Sequence, residues 1–237
     1  METAVIVQAR INSSRLPNKI FNSVGGWPLL RHVLWRCKQI RHVQTVICAI
    51  PDTDDPSKFR EICDLEGVVV VQGPEQDVLS RYLRAAGASD VIMRVTSDCP
   101  LIDPAVCGTV MDRILEGDVD YACNNMPSSF PHGLDCEAFT LEALQRAADL
   151  ATDGYDREHV TPFMRRDESF RRANILCEQP EWKDLRLTLD FPEDLEFFRR
   201  VEEFKPLRDL LSFEDLVDFF TDRPTLTAIN ADRRVVR

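Results

Sequence analysis

Features that mark membrane, secreted or disordered proteins are missing from this sequence. No run of about 18 apolar residues occurs, so no membrane-spanning helix is predicted. The first residues, Met1–Val7, lack the basic region and long apolar stretch of a signal peptide, so we expect a cytoplasmic protein. With only 9 glycines and 14 prolines among 237 residues, collagen-like, low-complexity and disordered classes are excluded.

Basic residues are also in deficit. The chain has 29 lysines and arginines against 40 aspartates and glutamates, which gives a formal net charge of −11. A field of that sign repels polyanions and argues against DNA or RNA as a partner. Any phosphate group that the protein binds must therefore meet a local cluster of cations.

Cysteine is present, but not in the patterns of metal sites or disulfide scaffolds. The eight cysteines are scattered, with no C-x-x-C pair and no histidine pair nearby. In a chain of this length without a signal peptide, such thiols are typical of reduced, mostly buried side chains. We expect neither a disulfide scaffold nor a zinc site.

Short β-branched runs alternate with helical patterns along most of the chain. Such alternation is typical of βαβ units in a mostly parallel sheet that helices cover on both faces. We therefore predict a single doubly wound α/β domain over residues 1–237. Predicted strands are Ala4–Gln8, Thr45–Ile50, Val68–Val71, Val91–Thr96, Arg172–Cys177 and Arg186–Leu189. Predicted helices are Pro28–Ile40, Pro56–Glu66, Gln76–Ala88, Pro104–Gly117, Thr140–Ala151, Asp156–Arg166, Pro192–Phe204 and Phe213–Thr221.

Residues 120–139 interrupt this rhythm. They contain asparagine, proline and glycine close together and are expected to form an irregular insertion of loop and strand. Met126, Phe130 and Leu134 lie on this insertion, and apolar side chains on an irregular segment need a surface that covers them. Either the segment is an arm that pairs with a second copy of the chain, or it folds back over its own active site.

Positive charge is concentrated in the segment after the first predicted strand. Arg10, Arg15 and Lys19 fall within ten residues, together with the hydroxyls of Ser13 and Ser14. Open parallel sheets bind ligands beyond the carboxyl ends of their strands, and arginine and lysine suit phosphate oxygens. We interpret the segment as a phosphate-binding loop, although it matches neither the Walker A nor the G-x-G-x-x-G motif. The alternative is a solvated surface loop.

Acidic residues follow two later apolar runs. Asp98 and Asp103 come after the fourth predicted strand, in a turn that contains two prolines. Asp103 directly precedes Pro104 and is predicted to cap the next helix, which leaves Asp98 available as a Mg²⁺ ligand. Asp190 ends the run Leu185–Leu189 and has two interpretations: a second Mg²⁺ ligand beside Asp98, or another helix cap.

The run Gln8–Lys19, followed by GGWPLL from Gly25, resembles the opening signature of the cytidylyltransferases that make CMP-activated sugars. This family includes the CMP-KDO and CMP-sialic acid synthetases, and the chain resembles in particular the spore coat polysaccharide biosynthesis protein F type. Asn12, Asn18 and Ser97 stand where the family usually has glycine. Further matching signatures are Asp77–Tyr82, Arg94–Asp103, Gly133–Glu137, Arg157–Pro162 and Leu189–Leu195.

The resemblance implies a Rossmann-like nucleotidyltransferase fold, related to that of nucleotide-diphospho-sugar transferases. It also implies transfer of CMP from CTP to an anionic acceptor, with release of pyrophosphate. Arg10, Arg15 and Lys19 would hold the triphosphate and carry catalysis together with Asp98, while Asp98 and Asp190 would hold Mg²⁺. Asp77 has the alternative role of a helix cap. The nucleotide would contact Gln8, Ala9, Arg10, Ser14, Arg15, Lys19, Asp77, Ser80 and Arg81.

The family motifs also imply an acceptor site. A sugar acid, sugar phosphate or phosphonate would contact Glu137, Arg157, Glu158 and His159. The alternative for the last three is a structural Arg157–Glu158 ion pair with His159 packed beneath it. Arg94 is either paired within the sheet or directed at a phosphate. Since the related synthetases pair through an arm from the middle of the chain, the resemblance favours a homodimer.

The sequence leaves two other functions open. A glycosyltransferase of the related nucleotide-sugar fold usually carries D-x-D after the central strand, and Asp98-Cys99-Pro100 lacks that spacing. A catalytically inactive nucleotide-binding module would have lost at least one of the predicted cations and acids, and all five are present. The expected protein is therefore a Mg²⁺-dependent cytidylyltransferase in surface-polysaccharide precursor synthesis, with no nucleic-acid or membrane partner.

Overall fold

A computed structural model describes residues 1–13, 15–209 and 212–233, and a seven-stranded sheet forms the centre of this part of the chain. A separate two-stranded hairpin consists of β2, Ser23–Val24, and β3, Trp27–Pro28. The strands of the main sheet are β1 (Thr3–Gln8), β4 (Thr45–Pro51), β5 (Val69–Gly73), β6 (Val91–Thr96), β7 (Tyr121–Cys123), β8 (Glu137–Thr140) and β9 (Arg172–Asn174). They lie in the order β5-β4-β1-β6-β8-β7-β9.

Parallel pairing dominates the sheet. β1 is parallel to β4 on one side and to β6 on the other, and β5 continues the sheet beyond β4. β8 is antiparallel to β6 and β7, and β9 is parallel to β7. After β1 the chain adds β4 and β5 on one side of that strand, and it then crosses over to add β6 on the other side. Such a topological switch point is where open α/β sheets bind ligands, and the predicted mostly parallel fold is confirmed.

Helices cover both faces because the side chains of β1 alternate between two apolar layers. Val5 and Val7 belong to one buried cluster, and Ala4 and Ile6 belong to another, as the two-residue period of a strand requires. The helices are α1 (Leu29–Cys37), α2 (Pro56–Glu66), α3 (Val78–Ala86), α4 (Pro104–Leu115), α5 (Leu141–Leu150), α6 (Gly154–His159), α7 (Pro162–Arg166), α8 (Pro192–Phe204), α9 (Phe213–Thr221) and α10 (Pro224–Thr227). Residues of α1, α2 and α4 join the first cluster, and residues of α3 and α5 join the second.

The beginning of α4 is determined by Asp103. Its carboxylate accepts the backbone N–H of Ala105 at 2.6 Å and of Val106 at 3.1 Å, while Pro104 occupies the first turn. The other oxygen accepts the N–H of Phe213 at 2.6 Å and so joins α9 to α4. The predicted cap role of Asp103 is confirmed.

Residues 120–139 contribute to the main sheet. Their two ends form β7 and β8, so the irregular stretch is confined to 124–136 and is shorter than predicted. Phe130 is 7% exposed and Leu134 is fully buried, and both pack in a third apolar cluster with α8 and α9. Because the chain's own helices cover these side chains, they do not argue for a second copy of the chain.

Two other segments differ from the prediction. The predicted helix 156–166 is divided into α6 and α7 at Val160, where φ is 72°, and Pro162 supplies no N–H to continue the first helix. Arg186–Leu189, predicted as a strand, forms an isolated bridge to His132. Its leucines pack in the third apolar cluster with residues of α8 and α9, and the segment does not extend the sheet.

All eight cysteines are buried with free thiols, as expected for their scattered pattern. Burial raises the pKa of thiols such as Cys37 and Cys99 well above the usual value, so they behave as small apolar side chains. None of the helices in the described ranges has the length and apolar character needed to span a bilayer.

Candidate active site at the carboxyl ends of the central strands

A crevice of about 340 Å³ opens beyond the carboxyl ends of β1, β4 and β6. Its volume lies in the range of small-ligand sites, and its position is the switch point of the sheet. It brings together residues from distant parts of the chain. The predicted site residues that line it are Gln8, Ala9, Arg10, Arg15, Lys19, Arg81, Asp98, Glu158, His159 and Asp190.

The predicted phosphate-binding loop forms one wall of the crevice. The backbone N–H of Ile11 donates to the buried carboxylate of Asp54 at 2.8 Å, which fixes the first half of the loop. Asn18 has a left-handed backbone with a φ of 54°, a conformation that asparagine tolerates better than most residues. The single turn that follows places Lys19 at the crevice. Ser14, predicted to bind the nucleotide, lies outside the described residues.

Lys19 connects the two predicted metal ligands. Its Nζ lies 2.9 Å from Oδ2 of Asp98 and 2.9 Å from Oδ1 of Asp190. Burial opposes the charge of Lys19, but the two carboxylates outweigh burial and its pKa is raised. Burial likewise opposes the charge of Asp98, but the attraction of Lys19 and hydrogen bonds lower the pKa of Asp98 to about 2. Both groups are therefore ionised at neutral pH.

Asp190 is not a helix cap. The first turn of α8 is closed by Asp194, whose Oδ2 accepts the backbone N–H of Asp190 at 2.8 Å and of Phe191 at 2.9 Å. The carboxylate of Asp190 lies in the crevice instead, where its Oδ1 accepts from Nη2 of Arg15 at 2.8 Å as well as from Lys19. Of the two interpretations from the sequence, the cap is wrong.

A buried arginine that the sequence reasoning missed completes the charged cluster. Nη2 of Arg186 lies 3.2 Å from Oδ2 of Asp190, and its Nε and Nη2 each donate to Asp194 at 2.8 Å. A signal was present, because Arg186 is the one charged residue in the apolar run 185–189, and a buried arginine needs partners. Glu75, which the sequence did not single out, and Ser97, which was noted only as a replacement for glycine, also line the crevice.

The residues predicted to bind the nucleotide divide into two groups. Gln8, Ala9 and Arg81 line the crevice. Arg81 is 2% exposed and donates through Nη1 to a backbone carbonyl at 2.7 Å, while its Nε has no partner among the described residues. Asp77 and Ser80 are not among the residues that line the crevice, and the Asp77 carboxylate accepts the N–H of Ser80 at 3.1 Å. The alternative role of Asp77, as the cap of α3, is the one observed.

The residues predicted to bind the acceptor also separate. Glu158 and His159, at the end of α6, are exposed and line the crevice. Arg157 is directed away from the crevice, with its Nη2 2.7 Å from Asp77 and its Nη1 donating to two carbonyls at the end of α5. Since Arg157 pairs with Asp77 and His159 is exposed, the alternative of an Arg157–Glu158 pair above a buried histidine is wrong.

Glu137 lies outside the residues that line the crevice. It is 2% exposed and forms ion pairs at 2.6 Å with both Arg94 and Arg165, while the hydroxyl of Tyr121 donates to it at 2.5 Å. Burial alone would raise the pKa of Glu137, but the two arginines lower it to about 2. Of the two interpretations of Arg94, pairing within the sheet is the one observed.

Known proteins share this architecture. Residues 4–215 match the cytidylyltransferase family. The spore coat polysaccharide biosynthesis protein SpsF of Bacillus subtilis is 27% identical over 229 residues, which cover 92% of this chain and 94% of that protein. A cytidylyltransferase from Leptospira borgpetersenii has a TM-score of 0.90 at 28% identity, over 100% of this chain and 99% of that chain. A CMP:2-keto-3-deoxy-manno-octonic acid synthetase complexed with CTP shares the fold, with a TM-score of 0.66 at 17% identity, over 86% of this chain and 100% of that chain.

The family match covers most of the chain, and it includes every residue that lines the crevice, from Gln8 to Asp190. The fold, the order of the motifs and the charged crevice agree with it. The chain therefore belongs to the cytidylyltransferase family and is a CTP-dependent nucleotidyltransferase.

Proposed function

We propose that the protein transfers CMP from CTP to a small anionic acceptor, releasing pyrophosphate, as a step that supplies surface-polysaccharide precursors. The charged cluster carries this proposal, because Arg15 and Lys19 pair with Asp98 and Asp190 at one cavity that Arg10 also lines. Transfer at phosphorus depends chiefly on positioned charge and needs no covalent enzyme intermediate. The similarity to SpsF supports the polysaccharide context.

Arg10, Arg15 and Lys19 bind the triphosphate in this proposal. The side chain of Arg15 is 52% exposed, and Arg10 is exposed and forms no ion pair within the described residues, so both are available to a ligand. A guanidinium contacts two phosphate oxygens at once, and the ammonium is a compact point charge. These cations neutralise the charge that the departing pyrophosphate acquires.

Gln8, Ala9 and Arg81 bind the cytidine in this proposal. The Nε–H of Arg81 is a buried donor without a partner among the described residues, which is costly unless a ligand completes the site. Cytosine offers a carbonyl oxygen and a ring nitrogen as neighbouring acceptors. We assign Asp77 and Ser80 an indirect role, because they close the first turn of the helix that carries Arg81.

The donor set fits Mg²⁺. Asp98 and Asp190 face one cavity, and Mg²⁺ beside phosphates is held by one or two carboxylates together with water and substrate oxygens. The described residues contain no group of three or more His, Cys, Asp or Glu side chains that could hold a metal, which disfavours a fully protein-ligated ion such as structural zinc. Mg²⁺, when bound, stabilises charge on phosphate oxygens. Lys19 balances the two carboxylates before the ion arrives.

Glu158 and His159 form the acceptor side in this proposal. Both are exposed at the end of α6, and the ring centres of His159 and Tyr155 lie 4.4 Å apart. An imidazole can donate to an anionic group, while a carboxylate accepts from sugar hydroxyls. Arg157 supports both residues by joining α6 to α3. We leave the fully paired Glu137 out of this site.

The homodimer and the cytoplasmic location stay predictions. The apolar residues of 120–139 do not support a dimer, since Phe130 and Leu134 are covered by the chain itself and Met126 is half-buried against the second apolar cluster. The homodimer therefore depends on the family resemblance alone. Light scattering at micromolar concentration tests it, and a mass near that of the 27.1 kDa chain would contradict it.

Release of pyrophosphate tests the proposed reaction. The chain is incubated with Mg²⁺, each common nucleoside triphosphate and a panel of sugar acids, sugar phosphates and phosphonates. We expect release with CTP and at least one acceptor, and none without an acceptor. Asp98→Asn should lose about a hundredfold in activity, whereas Asp112→Asn, at an exposed ion pair of α4 away from the crevice, serves as the matched control. No release with any acceptor, or turnover of a nucleotide-sugar donor instead, would contradict the proposal.

A further inference from the structure

Asp190 contacts cations through both of its oxygens. Oδ1 accepts from Arg15 and Lys19 at the crevice, and Oδ2 accepts from Arg186 at 3.2 Å. The three cations differ in exposure, since the side chain of Arg15 is 52% exposed, that of Lys19 12% and that of Arg186 1%. Arg15 and Lys19 can therefore turn towards another anion in the crevice, whereas Arg186 cannot.

Arg186 is itself fixed from behind. Its Nε and Nη2 donate to the two oxygens of Asp194, each at 2.8 Å, in a bidentate ion pair. The fully buried Asp194 also accepts from Nδ2 of Asn230 at 3.0 Å, and the same Nδ2 lies 3.2 Å from the carbonyl oxygen of Arg186. These hydrogen bonds hold the guanidinium of Arg186 on its buried side. The guanidinium therefore reaches Asp190 from a fixed support.

The charges of this cluster balance before any ligand binds. Its members are the cations Arg15, Lys19 and Arg186 and the carboxylates of Asp98, Asp190 and Asp194. A triphosphate that engages Arg15 and Lys19 withdraws both cations from Asp190. Among the described side chains, Arg186 is then the one cation left in contact with that carboxylate.

We propose that Arg186 is a positioning residue, which holds the Asp190 carboxylate and shares its charge so that Arg15 and Lys19 are free to bind the nucleotide. This inference rests on the proposed function, in which those two cations bind the triphosphate. Without Arg186, Asp190 competes more strongly with the phosphates for Arg15 and Lys19. The nucleotide then binds more weakly.

A double-mutant cycle on CTP binding tests this role. The affinity of the full chain for CTP is measured by calorimetry in buffer with EDTA, which removes divalent metal ions. Any difference in affinity between the proteins then comes from their side chains. The proteins are the wild type, Arg186→Gln, Asp190→Asn and the double variant. We expect Arg186→Gln to weaken binding at least about tenfold, but less than about twofold in the Asp190→Asn background, because Arg186 acts through Asp190. Unchanged affinity of Arg186→Gln, or equal weakening in both backgrounds, would overturn the proposal.

Two further variants separate positioning from stability. Arg36→Gln removes another fully buried arginine, which donates to the carbonyls of Ile102 and Leu207, away from Asp190. It should lower Tm yet leave CTP affinity within about twofold of the wild type. If Arg186→Gln does not fold, Arg186→Lys keeps the charge without the bidentate geometry. It should weaken binding to an intermediate degree, again only when Asp190 is present.

The cycle also distinguishes this inference from the proposed function. A wild-type chain that does not bind CTP would refute both. A wild-type chain that binds CTP while the two substitutions act independently would refute the role of Arg186 alone.

Discussion

The carboxylates of Asp98 and Asp190, far apart in the sequence, each place an oxygen 2.9 Å from the same ammonium nitrogen, that of Lys19. The main chain enforces this approach, because the N–H of Leu189 donates to the carbonyl of Asp98 at 2.8 Å. Two like charges at short range are unfavourable unless a cation is present. Such arrangements are concentrated at functional sites.

Asp98→Asn is expected to lower activity far more than stability. Asparagine keeps the shape of the side chain but not its charge, so a stabilising contact on the order of 3 kcal/mol in the transition state is lost, or about a hundredfold in kcat/KM. Pyrophosphate release measures the activity, and thermal unfolding measures the fold. Activity within twofold of the wild type would refute the assignment of Asp98.

Asp103→Asn is expected to do the opposite. The two carboxylate oxygens of Asp103 accept the N–H groups of Ala105, Val106 and Phe213, and an amide has one acceptor oxygen in place of two. At least one buried N–H loses its partner, so the free energy of unfolding in urea should fall by about 1–3 kcal/mol. The kcat/KM of the folded protein should be unchanged. A loss of activity as large as that of Asp98→Asn would contradict this division of roles.

Arg15→Ala should lower kcat/KM for CTP by the equivalent of about 2–4 kcal/mol, the usual cost of a lost charge-assisted contact in a transition state. Steady-state kinetics at varied CTP concentration measure the effect. Arg41→Ala, at an exposed ion pair with Asp112, is the matched control and should retain wild-type kinetics. A normally folded Arg15→Ala variant with the turnover of the control would argue against triphosphate binding by Arg15.

Affinity for CTP should fall as salt concentration rises. Arg10, Arg15 and Lys19 all face the crevice, and attraction between several cations and a polyanion is screened by salt. Calorimetric titrations at two salt concentrations measure the slope, which should be smaller for Arg10→Ala because one contact is gone. An affinity independent of salt would contradict a triphosphate held by these cations.

Glu137→Gln should change the dependence of stability on pH. The pKa of Glu137 in the folded chain is lowered to about 2, below its unfolded value of roughly 4.3. Its ionised form therefore stabilises the fold above about pH 4, and this contribution is lost as the pH falls from about 4 through about 2.

For the Glu137→Gln variant, chemical denaturation at a series of pH values should show a flatter acid limb. Stability at pH 7 should fall by about 3–5 kcal/mol, because Arg94 and Arg165 lose a buried partner. A small change in stability combined with a large rise in KM for the acceptor would restore Glu137 to the acceptor site.

The central strands and the first helices were predictable because the local sequence pattern and the packing in the fold favour the same secondary structure there. Val91–Thr96 and Pro56–Glu66 match their predicted bounds, since the central strand is mostly apolar and α2 has Asp55 as its cap and Pro56 in its first turn. Asn18 illustrates the same agreement, because its left-handed backbone suits the residue that replaces the family's glycine. At Asn12 and Ser97, φ is not positive, so a side chain there causes no backbone strain.

The roles of the remaining charged residues depend on interaction partners that the sequence alone does not show. Asp190 lies just before α8, and Asp194 lies in the first turn of that helix. Only the fold shows that Asp194 closes this turn while Asp190 faces the crevice. Glu137 belongs to a family motif, yet two arginines from β6 and α7 neutralise it inside the chain. The apolar pattern around Arg186 predicted a strand. That pattern could not show that Asp190 and Asp194 are the partners of this arginine.

The attachment of α6 has a consequence for how such an enzyme can change its substrate. Glu158 and His159 lie on this short helix, which is tied to α3 by the ion pair of Arg157 and Asp77 and lies outside the sheet. Asp98 and Asp190, in contrast, are spaced by a main-chain hydrogen bond at the end of β6. The residues proposed to bind the acceptor and the two carboxylates proposed to bind Mg²⁺ thus belong to separable parts of the chain. Exchange of residues 154–161 for the segment of a relative should redirect the acceptor while the chemistry on the nucleotide stays intact.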